Sequence, residues 1–474
     1  MTSGTRAGTV ITSADSGPGS LRDVLAVGGG TEVIDFAPAL SGATITLTSG
    51  SLNITGRVLT LDASALPSGI TLSGNNSSRI LTITGSADVT LRNLHLRNGR
   101  ENAANGGGIS AFSSRLVLDA CSIRDCFSTY DGGGLWGNGM TGSIQRSIIA
   151  GNQSGTFGGG VFLIGISGTK SLNISSSQIS GNKSQNGGGI YNFAANPSIS
   201  NCSIQGNSGS GVQSFSDSSP VLSNCIVWGN SAGSGTAASM QLKNASDCHP
   251  DVGCCLIEGA NNSGSFNDGN VVVWGSGNLD GTLAANNPDF VGAVSAANAP
   301  NSAADLRFFA SSPCLNVGNN ALGGTTPDLA GSPRIQDGTI DLGAYESGYV
   351  SFAFLYPALV ATADQNGNGL SNFLEYALGI DPNGPGDFSA VPVVSAQGGS
   401  IFLTSTRRSN GIDIVPLWMT STSLAAPGWT PMIQGVDYLP DSTSTLAPGR
   451  QQDIFKLLVT DPTRFYRQGF SKGN

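Results

Sequence analysis

Three glycines followed by an aliphatic residue recur through the middle of the chain, at Gly106–Ile109, Gly132–Leu135, Gly158–Val161 and Gly187–Ile190, with a weaker Gly209-Ser-Gly-Val212 behind them. Successive starts are 26, 26, 29 and 22 residues apart. A near-constant period of that size marks a stack of small units, none of which can bury a core alone. A second motif interleaves with the first: Ser147-Ile-Ile-Ala-Gly-Asn152, Ser177-Gln-Ile-Ser-Gly-Asn182, Cys202-Ser-Ile-Gln-Gly-Asn207 and Cys225-Ile-Val-Trp-Gly-Asn230, with Cys121–Cys126 and Cys255–Ala260 in the same frame. Apolar side chains alternate along each motif with the period of two that a strand requires. One inward column reads Leu96, Ile123, Ile149, Ile179, Ile204, Val227, Ile257, and another Ile109, Leu135, Val161, Ile190, Val212. A third reads Leu94, Cys121, Ser147, Ser177, Cys202, Cys225, Cys255. Asn152, Asn182, Asn207 and Asn230 are expected at a turn, in left-handed backbone, with amides bonded to the next coil. These columns predict an all-β fold built on a parallel β-helix.

Composition agrees. Charged residues are 11% of the 474 positions, and 68 positions are glycine, against about 25% and about 7% in ordinary globular chains. That argues against a helical bundle. The net charge of −9 carries no basic block, so no nucleic-acid partner is expected. No apolar run approaches the ~18 residues of a membrane-spanning helix. No apolar leader follows Met1, so either the protein stays inside the cell or its leader is missing from this sequence. With only His95 and His249, multi-histidine metal chemistry is excluded.

The repeats resemble those of bacterial secreted right-handed parallel β-helix proteins of the pectate-lyase-like superfamily, and also chlamydial polymorphic outer-membrane protein repeats. The opening Ile11–Arg22 and the closing Asp328–Arg334 and Asp341–Glu346 are similar to the ends of the choice-of-anchor β-helix group. The resemblance covers roughly residues 8–346. It implies a right-handed coil, an extracellular or cell-surface location, and an extracellular polysaccharide or cell-surface glycan as partner. The expected organisation is an opening segment and cap over 1–42, with an amphipathic helix at Ser20–Ala26. Coils follow over 43–284, then a closing segment over 285–347 folding across the far end. A linker over 348–385 leads to a small antiparallel β-sandwich over 386–474, with strands near Ile401–Thr406, Ile414–Thr420 and Ile454–Thr460.

Within the linker, Asp364-Gln-Asn-Gly-Asn-Gly369-Leu-Ser-Asn-Phe-Leu-Glu375 matches the twelve-position EF-hand loop. Asp364, Asn366 and Asn368 offer side-chain oxygens, Gly369 the sharp turn, Leu370 its carbonyl, Asn372 the ninth position and Glu375 a bidentate carboxylate. A weak structural Ca²⁺ site is expected, followed by a short helix from Glu375. The stretch resembles dockerin or thrombospondin-type calcium loops. The residues around Leu403–Arg408, Trp429 and Phe465–Arg467 resemble C-terminal modules of Verrucomicrobia-like secreted proteins.

Two patterns are candidate sites. Trp136, Phe162 and Tyr191 follow the inward aliphatics of the glycine motif, so they should stack outward on consecutive coils as a sugar-binding ladder; a ladder covered by loops is the structural alternative. Arg97 aligns with Arg124, beside His95 and Asp125, and two arginines in one column repel unless an anion lies between them. Arg97, Arg124 and His95 are the candidates for a uronate site or a β-eliminating one, against ordinary surface pairing with Asp119 and Asp125. The acidic calcium cluster usual in polysaccharide lyases of this fold is missing from the repeats, so binding or adhesion is expected over lyase or hydrolase activity. Cys248 and Cys254 are expected to close a loop as a disulfide.

Overall fold

The computed structural model describes residues 5–27, 31–165, 172–231, 237–261, 272–309, 311–349, 355–356, 358–368, 370–378, 380–384, 393–397, 400–409, 414–421, 430–434, 438–447, 450–458 and 465–472. Gly369 and Trp429 lie outside them. The chain forms two compact units, Met1–Ile335 with Thr339–Ser347, and Gln336–Gly338 with Gly348–Asn474.

The first unit is a parallel β-solenoid of about 9 turns. Each turn passes through three sheets in order, here A, B and C, and among the described residues these hold eleven, nine and eight strands. Pairing is in register wherever the repeats are clearest. Leu96, Ile123, Ile149, Ile179, Ile204 and Val227 form one unbroken column of sheet B. Ile109, Leu135, Val161, Ile190 and Val212 do the same in sheet C, and both columns are buried. A one-residue slip would turn each column to solvent, which is why the register holds over so many coils.

The glycine triplets are explained by close approach. At the second triplet Gly132 has φ +65°, where a side chain is strained. A Cβ on Gly133 would lie 2.4 Å from the Gln153 carbonyl oxygen. One on Gly134 would lie 2.6 Å from the Gly160 carbonyl oxygen and 3.0 Å from the Asn152 amide. The asparagines differ from expectation. Gly151, Gly181, Gly206 and Gly229 before them take the left-handed backbone, and Asn152, Asn182, Asn207 and Asn230 point inward. Their amides form a ladder up the core: Asn152 donates to Asn182 at 2.9 Å, Asn182 to Asn207 at 2.9 Å, Asn207 to Asn230 at 2.8 Å, and Asn230 to Gln241 at 2.6 Å. Each also donates to an isoleucine carbonyl of the preceding coil, such as Asn182 to Ile149.

Both ends of the solenoid depart from the sequence reading. The helix Leu21–Val27 buries Leu21 and Leu25 as a plug should. Thr5–Val10 and Thr31–Phe36 are already strands of sheet A, so stacking begins well before Ala43. The closing segment does not simply cover the far end. It runs back along the outer face of sheet B, where Val294 exchanges hydrogen bonds with Gln205, Asn301 donates to the Gly181 carbonyl and the Ser302 carbonyl accepts from Arg124. Small residues on that face, Ala150, Ser180 and Ser203, leave room for a second layer. The closing motif itself is held by buried charge. Arg334 donates to the Gly343 and Ala344 carbonyls and lies 4.0 Å from Glu346, while Asp328 and Asp341 accept backbone N–H groups.

The second unit carries the helix Asn372–Leu378, which starts three residues before Glu375 because the Ser371 hydroxyl accepts from the Leu374 N–H. Two antiparallel sheets follow, one of four strands and one of three among the described residues. Ser400–Arg408, Ile414–Ser421 and Arg450–Leu457 match the expected strands. Leu403, Trp418, Met432 and Leu457 form their shared core.

Candidate functional site

The aromatic column exists, but two of its three rings are buried. Trp136, Phe162 and Tyr191 are in register on consecutive strands of sheet C. Phe162 and Tyr191 are each only 5% exposed, and Trp136 is half-buried, its indole nitrogen without a hydrogen-bond partner among the described residues. Phe157, in the loop ahead of Gly158, packs over the two buried rings, its own ring 4.7 Å from Tyr191 and 6.1 Å from Phe162. Burial raises the Tyr191 phenol pKa, with Asp131 adding to it. Phe162 and Tyr191 hold this loop to the coil and are covered by it, while Trp136 at the end of the column keeps part of its surface exposed. Sequence patterning gives strand register but not what a loop lays across it. Phe193 and Phe215 form an exposed aromatic pair on this sheet, at 38% and 48% exposed and stacked at 5.9 Å.

The basic cluster is assembled as expected, on the outer face of sheet B. Leu94–Arg97 and Ser122–Arg124 are adjacent strands, pairing His95 with Ser122 and Arg97 with Arg124. Alternation buries Leu94, Leu96 and Ile123 and turns His95, Arg97 and Arg124 outward. Nearby arginines are spent on ion pairs: Arg92 with Asp62 at 3.1 Å and Arg146 with Asp119 at 2.5 Å. Among the described residues neither Arg97 nor Arg124 has a carboxylate within 4.0 Å. Arg97 is exposed, and Arg124 is half-buried against the Ser302 carbonyl. Burial lowers the Arg124 pKa, and the positive charge of Arg97 lowers it further.

His95 sits between these charges and the core. Its Nδ1 is 3.1 Å from the buried Ser122 hydroxyl. Burial holds its pKa below the ordinary histidine value, and Arg97 and Arg124 act in the same direction, opposed by a hydrogen bond to the Ser68 backbone. The imidazole is therefore neutral at pH 7, able to accept a proton or donate a hydrogen bond. The closing segment forms one wall of this patch through Ser302 and Tyr345, whose phenol is pushed up to about 12 by burial. Ser122, Ser302 and Tyr345 were missed from sequence; the last two are more than 170 residues from Arg124 and carry no motif that places them there. Farther along the same face a cleft of about 420 Å³ opens between the closing segment and the strand Ile226–Trp228, lined by Trp228, Asp289 and Phe290.

Cys248 and Cys254 are free thiols in the structure. Cys248 Sγ is directed to the Asp247 carboxylate at 3.4 Å and Cys254 Sγ to the Ser276 carbonyl at 3.5 Å, so the expected bridge is not formed. The inward cysteines behave as small core residues. Burial raises the Cys121 thiol to about 12, which makes it inert. No group of three or more His, Cys, Asp or Glu side chains able to hold a metal occurs among the described residues. No helix among them is long and apolar enough to cross a membrane.

No protein-family profile matches the chain, and no curated protein matches it. Among solved structures it is similar to the crystal structure of pectate lyase Pel9A, at 13% identity and a TM-score of 0.43, over 73% of this chain and 97% of that one. A likeness of this size concerns the path of the backbone alone.

Proposed function

We propose that this protein binds an acidic extracellular polysaccharide on the open part of the sheet B face, outside the cell or on its surface, as an adhesion or retention module. The observation that carries the reading is the Arg97–Arg124 pair: two guanidiniums in register on adjacent strands, with no carboxylate in ion-pairing reach among the described residues. A uronate carboxylate between them would relieve their repulsion and accept paired N–H donors from each. Behind them the half-buried His95 ring is fixed by the Ser122 hydroxyl at 3.1 Å. The acidic net charge argues for a local cationic site that reads an acidic chain by contact, since long-range steering would work against it.

The neutral His95 favours one second reading, β-elimination, in which a base removes the proton α to a uronate carboxylate that arginine neutralises. One experiment separates the two. The intact chain is incubated with pectate, alginate, chondroitin and neutral glycans, and read for co-sedimentation and for unsaturated-uronate absorbance. Retention on acidic polymers alone, weakening with salt and lost in Arg97→Gln/Arg124→Gln, is the expected result. Equal retention by the double variant removes the site from this face. Turnover replaces binding by lyase chemistry.

A further inference from the structure

We propose that the loop Asp364–Glu375 of the second unit is a calcium site whose central ligand is the buried Glu375, and that Asn372 is not a ligand but the clamp that shapes the loop. Glu375 lies on the helix Asn372–Leu378 and is 0% exposed. Its Oε1 faces the loop, accepting from the amides of Asn366 at 2.9 Å and Asn368 at 2.7 Å. Its Oε2 is buried and has no hydrogen-bond partner among the described residues. No Arg, Lys or His lies within 4.0 Å of the carboxylate among them. A carboxylate taken out of water and met only by two neutral amides is costly, and the cost ends if a cation sits against the unpaired oxygen.

The remaining donors are held on the same loop. Asp364 Oδ1 and Asn366 Oδ1 both accept from the Asn368 N–H, at 3.1 and 3.2 Å, and Asn368 Oδ1 accepts from the Leu370 N–H at 2.8 Å. These bonds curl the loop, and each such oxygen has a second lone pair to offer. Asn372 differs in kind. It is fully buried, its Oδ1 accepts from the Gln365 N–H at 2.9 Å and its Nδ2 donates to the Val360 carbonyl at 2.9 Å, so both ends of its amide are committed to closing the loop. The ligand set is then Asp364, Asn366 and Asn368 side-chain oxygens, the Leu370 carbonyl and both oxygens of Glu375. Six oxygens, two of them from one bidentate carboxylate, suit Ca²⁺ better than Mg²⁺, which demands near-regular octahedral geometry. Two carboxylates balance the charge of the ion, and so low a ligand charge gives affinity on the order of 10⁻⁴–10⁻³ M.

The test uses the intact chain, stripped with EGTA. Calcium and magnesium are titrated calorimetrically, and terbium is titrated with luminescence excited through Tyr376, the residue after Glu375. Calcium heat, terbium emission displaced by calcium, and at least tenfold weaker magnesium binding are expected. Glu375→Gln keeps the two loop amides near a neutral partner while removing the charge. It should abolish calcium binding, yet melt in EGTA at or above the wild-type temperature, because an unpaired buried charge has gone. Asn372→Asp gives the second arm: it should not improve affinity, since that position is not a ligand. Absence of calcium heat at about 5 mM, several-fold above the weak-site range, would sink the proposal. So would wild-type binding by Glu375→Gln, and tighter binding by Asn372→Asp would overturn the clamp assignment.

Discussion

Asn182→Ala removes the middle rung of the buried amide ladder, and its cost can be worked from the bonds lost. Asn182 Oδ1 accepts the Asn152 backbone N–H and the Asn152 side-chain amide, both at 2.9 Å. Its own Nδ2 donates to the Ile149 carbonyl and to Asn207 Oδ1, both at 2.9 Å. After truncation the Asn152 backbone N–H is left unpaired in a fully buried site, at about 1–3 kcal/mol. Three further bonds go, each worth about 0.5–1.5 kcal/mol, because Asn152 Nδ2 keeps Ile123 and Asn207 Oδ1 keeps the Asn182 backbone N–H. The loss should therefore be about 3–7 kcal/mol. Asn192 is the control. It is equally buried, on the inner face of sheet C in register with Leu163 and Ser214, but its amide has no partner among the described residues. Asn192→Leu should cost less than about 1 kcal/mol or stabilise, since it removes an unpaired buried polar group while keeping the branching and heavy-atom count of the side chain. Urea unfolding of the intact chain by far-ultraviolet circular dichroism measures both, as midpoint shifts at unchanged slope. If Asn182→Ala lies within about 1 kcal/mol of wild type, or Asn192→Leu loses as much as Asn182→Ala, the account of the ladder is wrong.

Other expectations follow from the same structure. Arg97→Gln/Arg124→Gln should weaken retention on pectate or alginate at least tenfold without lowering the melting temperature, checked by affinity electrophoresis; single variants should fall between. The folded-state pKa of His95 lies below its unfolded value of 6.5. The unfolded chain thus binds the proton more readily, so this contribution to stability is full above that pH and is lost as pH falls through the interval down to the folded pKa. His95→Gln should flatten that part of the stability–pH curve, read by melts from pH 7.5 to 4.5. Native labelling with a thiol reagent should leave Cys121 unmodified and denaturation should expose it; reductant should not move the melting temperature, because the structure holds Cys248 and Cys254 as thiols. A reductant-induced drop would restore the bridge.

The repeats alone determined the solenoid, its strand register and the inward columns. Period-two alternation repeated every 22–29 residues has few other solutions, and in a stack each coil's pattern checks its neighbour's. The same local logic placed Arg97 beside Arg124 and Trp136 beside Phe162 and Tyr191, since in-register strands turn a sequence offset into a contact. What lies over those columns was not legible. Whether an outward side chain meets solvent depends on a loop such as that of Phe157, or on a segment as distant as Ser302 and Tyr345, and no periodicity records which surface such a segment chooses. The asparagine column divides in the same way. Its spacing was visible, but only the tertiary structure decided that glycine takes the left-handed turn and asparagine the core, because Gly134, Gly160 and Gly189, the third glycines of three triplets, leave just the space that a buried amide fills.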